Sequence, residues 1–339
     1  MPTETAVFML VILAIAGLGY AMPALTRTDI FFAVSTAREF RATSDARRIT
    51  LRYRVILLCA TVAAIAALFA TTFAPAGVLV SAVGYLWAIV DAHRRTLRFA
   101  VPAGSVREAD LSQPREELPG GPALALAPLV SLALLGLWAY RHWDRLPARF
   151  PLDWGFKGPD RWVATSTTTV VGLLAVYAMA SMLPAGAAWG IIEWSRRIST
   201  SRGGSASERW FRRRIAQMLI VIGILVTLPA WFALLKPPAI IMGIWSVVFA
   251  VLVVAFTASL LRAGQGGSRR AGPAAAAGGD RTPDACWKWG LIYVNQADPS
   301  ILVEKRFGVG YTLNFGNRWT WVLLAFVLAP VAVGALLLR

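Results

Sequence analysis

The sequence predicts an all-α integral membrane protein, a bundle of about eight transmembrane helices with a small cytoplasmic β module before the last helix. Three observations predict it. The 339 residues are 57% hydrophobic and 15% charged, with a mean hydropathy of +0.59, whereas a soluble domain is about 25% charged. The apolar residues come in runs of about twenty, the length that crosses roughly 30 Å of hydrocarbon. Basic residues also crowd alternate connections between those runs.

The runs cover 6–25, 55–74, 76–92, 123–140, 164–192, 215–235, 238–261 and 319–338. Before the first stands one charge, Glu4, and no basic start of a signal peptide, so it reads as a retained span. The following stretch "TDIFFAVSTAREFRATSDARR" (Thr28–Arg48) has too few apolar residues to cross. Its Ile30, Phe31, Phe32 and Val34 are expected to pack under the bundle rather than lie in the interface. Runs two and three form a hairpin turning at "APAG" (Ala74–Gly77), and runs six and seven turn at "KPP" (Lys236–Pro238). The fifth run begins with "TSTTT" (Thr165–Thr169) and contains Pro184 and "GAAWG" (Gly186–Gly190), a small-residue pattern suited to close helix packing.

With eight spans both termini share a side. Segments 26–54, 93–122, 193–214 and 262–318 hold 7, 5, 7 and 8 basic residues, 27 of the chain's 34. The positive-inside rule places these in the cytoplasm and both termini outside a bacterial cytoplasmic membrane. The net charge of +16 is therefore read as a topology signal and not as a nucleic-acid footprint. "RWFRRR" (Arg209–Arg214) is expected among anionic headgroups. Segment 262–284, rich in glycine and alanine, reads as a flexible cytoplasmic linker.

Two polar modules interrupt the pattern. The outer one, 141–163, contains Pro147, Pro151 and Pro159, which deny it a regular helix. Its Trp143, Trp154 and Trp162 suit a headgroup belt. Asp160 is expected to cap the next span or to pair with Arg161 or Lys157. The inner module, 285–318, reads as a three-stranded sheet of "LIYV" (Leu291–Val294), "ILVEKRF" (Ile301–Phe307) and "GVGYTLNF" (Gly308–Phe315), with a turn at "NQADPS" (Asn295–Ser300). In the third strand Tyr311, Leu313 and Phe315 alternate against Thr312 and Asn314. So small a sheet needs a surface to pack on, and "IFFAV" is the expected one.

These modules carry a resemblance. "LPARFPLDWGFKGPDRW" (Leu146–Trp162) resembles the outer-loop signature of the bacterial membrane family that includes the SdpI-type immunity proteins. "WKWGLIYVNQADPSILVEKRFGVGYTLNFGN" (Trp287–Asn317) resembles the cytoplasmic module of its longer members, through Tyr293/Asn295, Asp298/Pro299, Lys305/Arg306/Gly308 and Thr312/Asn314/Phe315. Asp153 stands where many members carry His, and "GPDRW" is one residue shorter than the family's ending. The resemblance implies a helical polytopic protein. In the SdpI-type members it implies immunity to a secreted toxin peptide, coupled to capture of a regulator at the membrane.

No catalytic set is evident. There are two histidines, His93 and His142, and no HExxH, GxSxG or phosphate-binding glycine loop. His142 with Asp144, Asp153 and Asp160 is the best metal-ligand set. Arg141, Arg145, Arg149, Lys157 and Arg161 in the same loop argue against a cation, so neither metal nor cofactor is expected. Cys59 and Cys286 lack the spacing of a metal site or a disulfide framework. No ionisable residue falls in the middle of a span, as ion-coupled carriers require.

The expected function is therefore a non-enzymatic binding or sensing protein of the SdpI-like type, relaying a signal or conferring immunity between an outer loop and an inner module. The alternatives are a transporter of an apolar or lipid-like substrate and a structural subunit of a membrane assembly. Expected partners are the lipid bilayer, a peptide or envelope component outside and a cytosolic protein inside. The residues expected to bind are Trp154 and Asp160 outside and Asn295, Asp298, Arg306 and Asn314 inside. For each of them a structural role in a turn, a cap or sheet pairing is expected ahead of direct ligand contact.

Overall fold

The structure is a computed structural model that describes residues 3–70, 75–102, 116–155, 158–195, 202–270 and 282–337. It is mostly helical: α1 (Thr3–Leu25), α2 (Ser44–Ala70), α3 (Pro75–Thr96), α4 (Gly121–Arg141), α5 (Thr167–Trp194), α6 (Arg202–Val226), α7 (Leu228–Leu235), α8 (Ala239–Ala263) and α9 (Arg318–Leu337). Among the described residues seven helical stretches are long and apolar enough to cross a membrane, with α6 and α7 together making one of them, Ala206–Leu235. The eighth predicted run forms the 20-residue α9.

What these helices leave uncovered identifies their solvent. None of the most apolar window of α8 is buried, and Ile240, Val247, Val251 and Val254 are each more than half exposed. Apolar surface on this scale would be untenable in water. A helix satisfies its own backbone and can carry such a surface in lipid. The chain is a multi-pass membrane protein.

Local chemistry sets the helix ends. Pro75 starts α3, where its missing N–H costs no helical bond. Ala76 and Gly77 of the "APAG" turn already belong to α3, and Ala74 lies outside the described residues. Pro229 deprives the Leu225 carbonyl of its helical donor and separates α7 from α6 at Thr227, whose hydroxyl donates to the Ile224 carbonyl at 2.7 Å. Lys236, with φ 45°, ends α7 in the left-handed conformation before the two prolines. Ser166, not Asp160, caps α5. It accepts from the Thr169 N–H at 3.2 Å, while Thr169 Oγ1 accepts from the Ser166 N–H at 2.9 Å.

The chain divides into two compact units: Met1–Gln113, Arg196–Glu208 and Leu261–Arg318 in one; Pro114–Ser195, Arg209–Leu260 and Trp319–Arg339 in the other. In the first, α2 and α3 run in close contact. A Cβ on Gly84 would overlap that of Ala60, so glycine is what admits this approach. The segment after α1 turns through β1 (Ile30–Phe31) and β2 (Val34–Ser35), and Ile30 to Val34 are all buried, as their apolar character predicts. Phe31, Phe32, Phe40, Tyr53 and Phe307 share one core there.

In the second unit the proline-rich outer stretch is a β-hairpin that the sequence reading did not anticipate. β3 (Arg149–Gly155) pairs antiparallel with β4 (Gly158–Ala164), with register shifts between Pro151 and Trp154. A two-stranded ribbon has only edges, where proline does least harm, and the bulges absorb the rest. Phe150 is fully buried among Leu132, Leu135, Val170, Leu173 and Ala233, anchoring the hairpin on α4, α5 and α7.

The expected three-stranded inner sheet is instead two hairpins. β5 (Trp287–Lys288) pairs with β6 (Ile292–Tyr293), and β7 (Leu302–Glu304) with β8 (Tyr311–Leu313); a single bridge, Tyr293 to Asn314, joins them. The second expected strand stops at Glu304 because Arg306 and Phe307 leave the ladder for partners elsewhere. Asn314, placed by alternation on the polar face, is fully buried. The stretch expected to start a linker at 262 continues as helix to Ala263, and Gln265, Gly266 and Gly267 are buried. Gln265 fixes it by donating to the Gly310 carbonyl at 3.0 Å and accepting from its N–H at 2.8 Å. Residues 271–281 of that stretch lie outside the described residues.

Candidate functional site

The inner module is built around Asn314. Its side-chain nitrogen donates to the carbonyls of Asn295 (2.9 Å), Asp298 (3.0 Å) and Ser300 (3.1 Å). Its oxygen accepts from the N–H groups of Asn295 and Gly316, both at 3.0 Å. One amide thus closes the whole "NQADPS" turn onto the end of β8. Asn295 accepts from the Ala297 N–H at 3.0 Å and donates to Tyr293 Oη at 3.0 Å. Tyr293 Oη donates to Asp298 Oδ2 at 2.9 Å, and Asp298 Oδ1 accepts from the Ser300 N–H at 3.0 Å. These are Asx-type turn contacts, made by side chains short enough to reach their own backbone.

Arg306 performs the same service between elements. It is 2% exposed and donates to Asp284, to the Thr282 carbonyl and, at 3.2 Å, to the Ala33 carbonyl. Asp284 also accepts from the Ser35 N–H at 3.2 Å and from Ser35 Oγ at 2.9 Å. The four inner candidates, Asn295, Asp298, Arg306 and Asn314, are therefore brought into one module with their polar atoms turned inward. Trp154 lies in β3 opposite Pro159, and Asp160 lies in β4 beside it. Their side chains fall outside the described residues, as does that of Asp153. His142 stacks on Trp138 at 5.2 Å, and its Nδ1 donates to the Trp138 carbonyl at 3.1 Å. Among the described residues no three His, Cys, Asp or Glu side chains converge on a metal position.

The sequence reading did not foresee the strained turn at Phe32–Ala33. Both residues have positive φ, 43° and 65°, a conformation that costs a residue with a Cβ roughly 1–2 kcal/mol. The surroundings compel it. Phe32 is wedged between Tyr53, at 5.0 Å, and Phe307, stacked at 5.3 Å. The carbonyl of Phe32 accepts from His93 Nδ1 at 2.9 Å, which places the ring proton on that nitrogen, and that of Ala33 accepts from Arg306. Gly290, φ 75°, rests on the same spot: a Cβ there would meet His93 Nδ1 at 2.8 Å and the Ala33 Cβ at 3.1 Å. Arg41 fastens the stretch to α1 by donating to the carbonyls of Pro23 (2.9 Å), Arg27 (2.7 Å) and Ile30 (2.7 Å), and burial lowers its pKa from the ordinary arginine value.

A groove of about 600 Å3 opens beside this hub. Its walls include Leu97, Trp287, Ile292 and Val294, and Arg94, Lys288 and Trp289 stand at its rim. The arrangement offers apolar contact and positive charge, with Asp284 already engaged by Arg306 and Ser35.

Residues 296–321 match a family described as a family of unknown function, DUF5808. That segment holds Asp298, Arg306 and Asn314. No curated protein and no solved structure matches the chain. The similarity is to the second hairpin of the inner module and the start of α9.

Proposed function

We propose that the chain is a non-enzymatic binding and sensing protein of the bacterial cytoplasmic membrane, with the inner module in the cytoplasm and the β3–β4 hairpin outside. The arginine asymmetry of the connections supports the sidedness. One observation carries the binding role. The polar side chains of the inner module are spent on internal bonds, and a preformed groove with a basic rim is left beside them. A rigid module of this kind favours recognition of a cytosolic protein over catalysis. The resemblance to SdpI-type proteins supports an immunity or relay role, with a peptide or envelope component meeting the outer hairpin.

The test is co-purification from native membranes in mild detergent. A stoichiometric protein partner that survives washing, and is lost when residues 285–318 are removed, supports the reading. Absence of any partner from membranes of the native host counts against it. Cysteine labelling in intact cells at position 288 and in the β3–β4 hairpin must report opposite sides.

A second reading, transport of an apolar or lipid-like substrate, draws on a cavity of about 690 Å3 in the other unit. Glu116, Glu117, Met182, Trp189 and Glu193 line it, and Arg212 is buried in an ion pair with Glu116. Uptake by proteoliposomes that Trp189→Ala abolishes would favour it.

A further inference from the structure

We infer that the groove beside α3 holds an anionic phospholipid, with its phosphate at Arg94, Lys288 and Trp289 and an acyl chain along the exposed face of α3. The inference deepens the proposed recognition role: it assigns the groove itself to lipid, leaves the rest of the inner module to the protein partner, and rests on the proposed topology only for the leaflet involved.

Four observations point the same way. Arg94 and Lys288 are exposed at the groove rim, and among the described residues neither makes an ion pair. The single carboxylate lining the groove, Asp284, is paired with Arg306, so the rim presents net positive charge. Trp287 also lines the groove at 2% exposure, and its indole N–H has no hydrogen-bond partner among the described residues. A buried donor of that kind calls for an acceptor.

The fourth observation gives direction. Val83 and Trp87 are exposed on α3 and Leu97 in the turn directly after it, and with Arg94 they recur at helical spacing along one face. The apolar run of this span ends at residue 92, so Arg94, in the last turn of α3, and Leu97, just beyond it, sit at headgroup depth. A molecule that is apolar along Val83 and Trp87 and anionic at Arg94 is a phospholipid. A soluble anion would leave the apolar walls idle, and a peptide would need its apolar part to run down a lipid-facing helix.

Trp289 completes the site. It is 57% exposed at the tip of the β5–β6 hairpin with φ 55°. Its neighbour Gly290 holds the tip against His93 and Ala33, and Trp289 lines the groove. An amphipathic ring with one N–H suits the headgroup layer.

The test uses the full chain in a neutral detergent, titrated with phosphatidylglycerol or phosphatidylcholine and read by native mass spectrometry. At least tenfold tighter retention of phosphatidylglycerol is expected. Arg94→Gln with Lys288→Gln, both exposed, should lower that preference at least fivefold without shifting Tm. Trp289→Asn, which accepts a positive φ readily, should weaken retention while Tm holds or rises. Equal retention of both lipids, unchanged preference in the double variant, or displacement of the lipid by millimolar inorganic phosphate would each overturn the inference. Detergent has no sidedness, so a negative result here indicts the groove alone, whereas cysteine labelling and partner capture judge the proposed function.

Discussion

Replacing Asn314 by alanine tests whether the inner module is held by side-chain bonds rather than by its short strands. Five hydrogen bonds end on this one amide. Each contributes about 1 kcal/mol net, and a buried partner left unsatisfied costs more. The side chain is fully buried, so solvent does little to replace it until the turn opens. The two strand pairs are only two and three residues long, too short to hold the module unaided. The expected loss is about 3–5 kcal/mol, confined to the module. Global unfolding of a chain with two units is not two-state, so the assay is amide hydrogen exchange in detergent, comparing opening free energies over residues 293–316.

Asn314→Asp is the sharper variant. It keeps the accepting oxygen but faces three carbonyls with a carboxylate. Burial and repulsion raise its pKa in the folded state, so the folded chain binds more protons than the unfolded one and stability falls as pH rises. Exchange should therefore be faster at pH 8 than at pH 5 after correction for intrinsic rates. A loss below about 1 kcal/mol in Asn314→Ala, or no pH dependence in Asn314→Asp, would refute the assignment of this amide as the module's keystone.

Other perturbations follow from the same geometry. Arg306→Met should cost about 3 kcal/mol by stranding Asp284, and adding Asp284→Asn should recover part of it, as a double-mutant cycle on module exchange would read. Gly84→Leu should separate α2 from α3, because the Ala60 side chain occupies the space; a fall in Tm beyond that of Gly172→Ala, where the space is open, is the check. Phe150→Ala should cost about 3–5 kcal/mol and release the β3–β4 hairpin to protease, with exchange in the inner module unchanged.

The fold was readable where one physical constraint dominates. Lipid requires long unbroken apolar helices, so the spans stood out by length alone, and "IFFAV" was placed correctly because five residues that greasy must be covered. The outer hairpin was hidden because Pro151 and Pro159 and two register shifts erase the alternation by which strands are recognised. Asn295, Asp298, Arg306 and Asn314 were named from residue type. A structural role was the weightier expectation for each, but which atoms they reach was not readable, because a turn amide and a ligand amide look alike until their neighbours are known. Asp284 with Ser35, Arg306 with Ala33, and His93 with Phe32 are 249, 273 and 61 residues apart, and no local pattern announces such pairs.

Strain separates what the hub does for itself from what it offers to others. Phe32 and Ala33 sit at positive φ, but rings on both sides of Phe32 and donors to both carbonyls repay the cost within the folded chain. Trp289 bears the same backbone cost and is more than half exposed, so little packing returns it. Asparagine or glycine at that position would ease the turn, and the fold alone gives no reason for a tryptophan. A large aromatic ring kept in a strained backbone, at a groove with Arg94 and Lys288, is the feature that the proposed lipid site explains. On the proposed reading the recognition surface is the hairpin tip, while Asn295, Asp298, Arg306 and Asn314 serve the module's own fold.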